Sequence, residues 1–127
     1  MNEQSLQNKI RLAIAELGTF FRVNVGTGWT GLVSQRNGQL LTLKNYRTFT
    51  TGLPKGTSDI IGYTPVTITP DMVGQQVAIF TAIEVKTPKG KASPEQNLFL
   101  KLLNDAGGIG FIARSVDEAL ERLKHGE

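Results

Sequence analysis

Two serine-led helix starts separated by a short apolar run constrain this chain more than any other feature. Ser93-Pro94-Glu95-Gln96 sets a hydroxyl cap, a first-turn proline and a capping-box glutamine in order, and Ser115-Val116-Asp117-Glu118 repeats the cap pattern. Leu98, Phe99, Leu102 and Ala106 form the apolar stripe of the first helix, and Gly107-Gly108 closes it. Between the two helices Ile109 to Ala113 reads as a short buried strand. In the second helix Ala119, Leu120 and Leu123 are expected to pack inward, with charge on the remaining face. Upstream, Gln76 to Thr87 is apolar on both faces and reads as a central strand, ended by Pro88 and Gly90.

The first part of the chain has the same mixed character. Leu6, Ile10, Ala13, Ile14 and Leu17 recur at helical spacing from Asn2 or Glu3 onward, and Gly18 supplies the stop. Thr19 to Val25 alternates as a strand, Gly26 to Gly38 is turn-rich, and Gln39 to Leu43 is a further strand. Lys44 to Gly56 reads as a connection with a short strand of its own, Ser58 to Tyr63 as a short strand, and Thr64 to Gln75 as a loop. The expected fold is therefore α/β, a mixed central sheet flanked by helices in the order α-β-β-β-β-α-β-α. A chain of 127 residues is about the size of one domain, 1–127.

Composition narrows the chemistry. No apolar run reaches the ~20 residues of a membrane span, and Met1-Asn2-Glu3-Gln4 does not resemble a signal peptide, so an intracellular, cytoplasmic protein is expected. The absence of cysteine removes disulfides, thiolate metal sites and cysteine nucleophiles. The single histidine, His125, lies near the C-terminus, which argues against a serine, histidine and acid triad. A net charge of +3 leans only modestly toward a polyanionic partner.

Chemistry concentrates at Ile83-Glu84-Val85-Lys86-Thr87. Residues two apart on a strand project from one face, so Glu84 and Lys86 share a space. If Ser58 to Tyr63 pairs antiparallel with Gln76 to Thr87, a register with Asp59 opposite Glu84 also sets Tyr63 opposite Phe80, whereas a slip of one residue turns Asp59 away. Two carboxylates and water suit magnesium or manganese, and Lys86 could orient water or stabilise charge on phosphorus. The plainer alternative for Glu84 and Lys86 is a solvated surface pair worth under ~1 kcal/mol. Its place at the end of an apolar strand speaks for a role.

Three further features bear on this space. Glu3 falls close to Ile10 on the helical wheel and faces the sheet, or simply complements the positive end of the helix dipole. Gln96 completes the capping box, or reaches a water or phosphate at the end of the Glu84 strand, with Lys89 and Lys91 lining the approach of a nucleic-acid backbone. Gly26-Thr27-Gly28-Trp29-Thr30-Gly31 satisfies GxGxxG, but no long helix follows and no acid appears about 20 residues on, so no nucleotide cofactor is expected. Trp29, lying between Arg22 and Arg36, is left to stack on a base or to join the core.

Taken in order, Asn2-Glu3, Phe21-Arg22-Val23-Asn24-Val25-Gly26, Gly56-Thr57-Ser58-Asp59-Ile60-Ile61-Gly62, Ile83-Glu84-Val85-Lys86-Thr87, Ser93-Pro94-Glu95-Gln96, Gly107-Gly108 and Arg114-Ser115 resemble the virus-type replication-repair nuclease (VRR-NUC) domain, a branch of the PD-(D/E)XK nucleases. The resemblance spans nearly the whole chain and is of the stand-alone phage or bacterial type. It implies a metal-dependent phosphodiesterase in which Asp59, Glu84 and the Val85 carbonyl hold Mg2+ or Mn2+. Lys86, Gln96 and Glu3 are implied as catalytic, and Arg22, Asn24, Trp29, Lys55, Lys89 and Lys91 are expected to face DNA. Short members of the family are similar to Holliday-junction resolvases, which implies a homodimer on branched DNA. A monomeric flap or single-strand nuclease and a non-cleaving DNA-binding module are the alternatives.

Overall fold

In a computed structural model that describes residues 2–124, Ser93 caps a helix, α2 (Pro94–Asp105), as its sequence requires. The Ser93 hydroxyl accepts from the Gln96 amide at 3.1 Å, and the Gln96 side chain accepts from the Ser93 amide at 2.8 Å. The far end closes as a Schellman motif, with Gly107 at φ +97°, its amide donating to the Asn104 carbonyl and the Gly108 amide donating to the Leu103 carbonyl. In chain order the other described α-helices and strands are α1 (Glu3–Ile14), β1 (Thr19–Arg22), β2 (Thr27–Asn37), β3 (Leu40–Thr50), β4 (Ile60–Tyr63), β5 (Thr81–Val85), β6 (Ile109–Ala113) and α3 (Val116–Lys124), with a short 3-10 turn at Pro70–Met72.

The fold is mixed α/β, and the described residues form two compact units. The second takes Glu16–Thr19 and the chain from Tyr63 onward. Here β5 and β6 pair in parallel, from Thr81 opposite Ile109 to Val85 opposite Ala113. Helix α2 packs on β6, and the buried apolar side chains among the described residues, Leu100, Leu103, Phe111 and Ala113, all belong to these two elements. Close approach depends on two missing side chains. A Cβ on Gly108 would lie 2.2 Å from Leu103 Cδ1, and one on Gly110 would lie 3.1 Å from Leu100 Cδ2. The Asn104 amide donates to the Gly110 carbonyl and accepts from its amide, both at 2.8 Å, occupying backbone groups that β5 does not use.

Helix α3 starts at Ser115, whose hydroxyl accepts from the Glu118 amide at 3.1 Å. The Glu118 carboxylate, however, reaches one residue further back than a capping box and accepts from the Arg114 amide at 2.6 Å. The expected inward packing of α3 is only partial. No residue of α3 is buried, and Leu120 and Leu123 stay roughly half exposed, while Arg122 lies 5.0 Å over the Phe111 ring.

The first unit takes the residues up to Ala15 and Phe20–Gly62. Asn2 caps α1 through a 2.8 Å bond from the Ser5 amide. The helix ends at Ile14 rather than at Leu17, and Leu6 and Ile10 of its stripe remain partly exposed. The larger departure is Gly26 to Gly38, read as turns, which is mostly the eleven-residue strand β2. It pairs antiparallel with β3, which runs through the residues expected as a connection. Glycine here makes room within a strand instead of marking a turn: a Cβ at Gly28 would lie 2.7 Å from Phe49 Cζ, and Gly31 sits at a break in the register. Gly38, φ +57°, takes the first place of the two-residue loop, as a type II′ hairpin requires.

Among the described residues five strands precede α2, one more than expected, and the ladders pair β1 with β4, β2 with β3, and β5 with β6. The suggested β4–β5 pairing is not among these ladders of the described residues. The Tyr63 and Phe80 rings nevertheless meet, with centroids 5.2 Å apart. Residues Gln76 to Phe80, expected at the start of β5, lie outside it.

The α2–β6 contact predicts two stability losses. Leu103→Ala empties a fully buried site and is expected to cost about 2–5 kcal/mol. Gly108→Ala overpacks the same place and should cost about 1–3 kcal/mol. Urea unfolding measures both, and losses well under ~1 kcal/mol would mean that the unit is held elsewhere.

Candidate active site

β5 inverts the usual order of a strand. Glu84 and Lys86 lie on its more protected side with Ala82, while Val85 faces out at 75% exposure. Lys86 follows the last strand residue, but its amide still donates to the Ala113 carbonyl at 3.1 Å, so the alternation continues through it. Its Nζ lies 3.5 Å from Glu84 Oε1, with the two side chains only 23% and 30% exposed. The sequence-predicted sharing of a face by Glu84 and Lys86 is thus present in this unit.

Gln96 joins them. Its Nε2 donates to Glu84 Oε1 at 2.7 Å while its Oε1 accepts from the Ser93 amide. The same side chain therefore completes the capping box and bonds Glu84. Because the amide oxygen is committed to the helix cap, the nitrogen must face Glu84, and the carboxylate receives a donor from Gln96 and a cation from Lys86 on the same oxygen. In a parallel pair, alternate residues bond to the partner, and the bonds from Lys86 to Ala113 and from Ile109 to Phe80 give β6 the backbone of the even-numbered β5 residues. The Val85 carbonyl consequently points from the opposite edge of β5.

The loop after β5 is pinned by Arg114, a residue with no separate role in the sequence motifs. The Arg114 guanidinium donates to the Thr87 and Gly90 carbonyls at 2.6 Å each, and the Gly90 amide closes a turn onto Thr87. Lys89 and Lys91 stand exposed on this loop. The only sequence signal for Arg114 is a cation directly after a buried strand, where its length lets it fold back on a neighbouring loop.

The other candidates belong to the first unit. Asp59 directly precedes β4, is exposed, and accepts at its carbonyl from the Val23 amide at 3.0 Å. Val23 separates Arg22 from Asn24, both exposed. Lys55 lies in a turn in which the Thr57 amide and hydroxyl both donate to the Pro54 carbonyl. Glu3 is exposed in the first turn of α1. Trp29 is not a core residue but an exposed member of β2, and the GxGxxG run leads into strand rather than helix. Among the described residues no group of three or more histidine, aspartate or glutamate side chains is gathered to hold a metal ion.

Residues 1–117 match the VRR-NUC domain family. The chain belongs to the VRR-NUC family. Membership implies a nuclease of the PD-(D/E)XK type, with the fold of that group and DNA as its substrate. No curated protein and no solved structure matches the chain significantly. Among the described residues no helix of this VRR-NUC chain is long and apolar enough to cross a membrane.

The shared amide predicts a pH signature. Gln96→Glu keeps the acceptor for Ser93 but sets a second carboxylate against Glu84, and protonation of either relieves the repulsion. The variant's deficit in melting temperature relative to the parent should be larger at pH 8 than at pH 5. Gln96→Ala, which loses the cap and the Glu84 bond alike, should be destabilised by about 1–2 kcal/mol with little pH dependence between those values. Equal deficits for Gln96→Glu at both pH values would show that the amide does not face Glu84.

Proposed function

We propose that this VRR-NUC chain is a divalent-metal-dependent, structure-selective DNA endonuclease that cuts four-way junctions as a homodimer. The observation that carries the reading is the Glu84, Lys86 and Gln96 cluster, a carboxylate, an ammonium and a fixed amide on the protected side of β5. The donor chemistry fits Mg2+ or Mn2+. Glu84 keeps Oε2 outside the contacts made by Oε1, and the Val85 carbonyl is an oxygen on the free edge of the same strand. Asp59 is assigned as the second carboxylate on the family resemblance, and Glu3 as an auxiliary acid.

Bound there, a divalent ion supplies Lewis acidity toward the phosphate and lowers the pKa of a coordinated water. Gln96 holds Glu84 in one rotamer, so the carboxylate pays little ordering entropy on binding. Lys86 brings a positive charge to the same face, where it orients the attacking water and offsets the charge that grows on the phosphate oxygens. The second amide hydrogen of Gln96 is available to a water or phosphate oxygen. Lys89 and Lys91, on the loop pinned by Arg114, and, within the first unit, Arg22, Asn24 and Lys55 are each assigned to the DNA backbone. Junction preference and dimerisation are supported by the likeness to short junction-resolving members of the family.

The test is incubation of labelled four-way junction, flap and linear duplex with Mg2+ or Mn2+, with the oligomer mass measured in parallel. Paired cuts in the junction by a species of twice 13.8 kDa are expected. Lys86→Ala, Glu84→Ala and Asp59→Ala should each slow cleavage at least ~100-fold. Absence of cleavage of every substrate with either metal would overturn the nuclease reading, and flap cleavage by a monomer would replace the junction assignment.

A further inference from the structure

The β2–β3 hairpin carries an unusual combination of charge and exposed apolar surface. Three bases, Arg36, Lys44 and Arg47, and no acid lie between Thr27 and Thr50, a net +3 that equals the charge of the whole chain. Everything outside the hairpin is therefore balanced in sign. Among the described residues none of these three cations is held in an ion pair. The same ribbon exposes its aromatic side chains, Trp29 by 61%, Tyr46 by 64% and Phe49 by 51%.

The register sorts these groups. Trp29 is opposite Thr48, and Tyr46 lies two residues before Thr48, so the indole and the phenol share a face. Arg47, opposite Thr30, and Phe49, opposite Gly28, share the other. Phe49 covers the bare backbone of Gly28 and so is partly used in the ribbon itself. The register break beside Gly31, with Asn45 at φ 52°, bends the ribbon between its two halves. Each strand has eleven residues, or about 36 Å of extended chain, close to one turn of duplex DNA.

We infer that the β2–β3 ribbon is a second DNA-engaging element, in which Arg36, Lys44 and Arg47 neutralise phosphates while Trp29 and Tyr46 stack on bases exposed where a duplex is interrupted. The identity of the polyanion rests on the nuclease reading above. Charge decides the occupant. A second copy docked by a two-fold axis would bring this acid-free surface against itself, whereas a nucleic-acid strand supplies the opposing charge. A two-stranded ribbon also fits the width of the major groove, and open aromatic faces suit unpaired bases without sequence preference.

The experiment measures equilibrium binding of the full chain to a four-way junction and to blunt duplex, with chelator present so that no cleavage occurs. For Arg36→Ala/Lys44→Ala/Arg47→Ala, the slope of log affinity against log salt should fall by about 2–3 on both DNAs. The slope should be retained in Arg36→Lys/Arg47→Lys, which keeps the charge. Trp29→Ala/Tyr46→Ala should weaken junction binding by at least ~5-fold and leave duplex binding nearly unchanged. Unchanged slopes and affinities in folded variants would overturn the proposal. So would a drop from dimer to monomer mass with DNA affinity per protomer intact, which would give the ribbon to self-association. Retained, ribbon-dependent binding by a protein that cleaves nothing with Mg2+ or Mn2+ would remove the nuclease reading and leave this one standing.

Discussion

A single side-chain amide ties the structure of the second unit to its chemistry. The oxygen of Gln96 closes the N-terminus of α2 on the Ser93 amide, and its nitrogen holds Glu84 of β5 at 2.7 Å. Neither half can be rearranged alone, because flipping the amide would turn two good bonds into two repulsive contacts. The capping box thus does more than start a helix. It fixes the orientation of the group that faces a half-buried carboxylate, and α2 is in turn anchored to β6 through Leu103, Gly108 and Gly110. The rigidity of the packed pair is transmitted to the carboxylate through one hydrogen bond.

That arrangement separates the Glu84 and Lys86 pair from an ordinary surface ion pair. A salt bridge on a solvated edge is worth little and needs no further support. Here the strand turns its valine outward and its charges toward the protected side, and an uncharged amide is spent on orienting the acid. Stability alone gives no reason for this, since burying charge costs free energy that an apolar pair would not. Function at a phosphate gives one.

The features legible in the sequence were those with local causes. Ser93, Gln96, Gly107 and Ser115 announce helix ends because each satisfies backbone groups within a few residues, and Glu84 and Lys86 share a face by the period of a strand alone. What depends on distant partners was not legible. The glycines of β2 looked like turn residues, yet Gly28 is where Phe49 of the next strand lies and Gly31 is where the register breaks. Arg114 gave no sign that it reaches back to Thr87 and Gly90, 27 and 24 residues earlier. Strand partnership followed the same rule. The apolar character of β4 and β5 was visible, but which strand each bonds to is set by long-range contacts, and both chose partners other than each other.

The central proposal is that Glu84, Val85 and Asp59 hold a divalent ion beside Lys86. A crystal structure of the protein with Mn2+, read by anomalous scattering, tests it most directly. The account predicts a manganese peak about 2.1–2.3 Å from a Glu84 carboxylate oxygen, the Val85 carbonyl and an Asp59 carboxylate oxygen, with the Gln96 bond to Glu84 retained. Manganese bound elsewhere, or Asp59 and Glu84 carboxylates more than about 5 Å apart at their nearest oxygens, would contradict it.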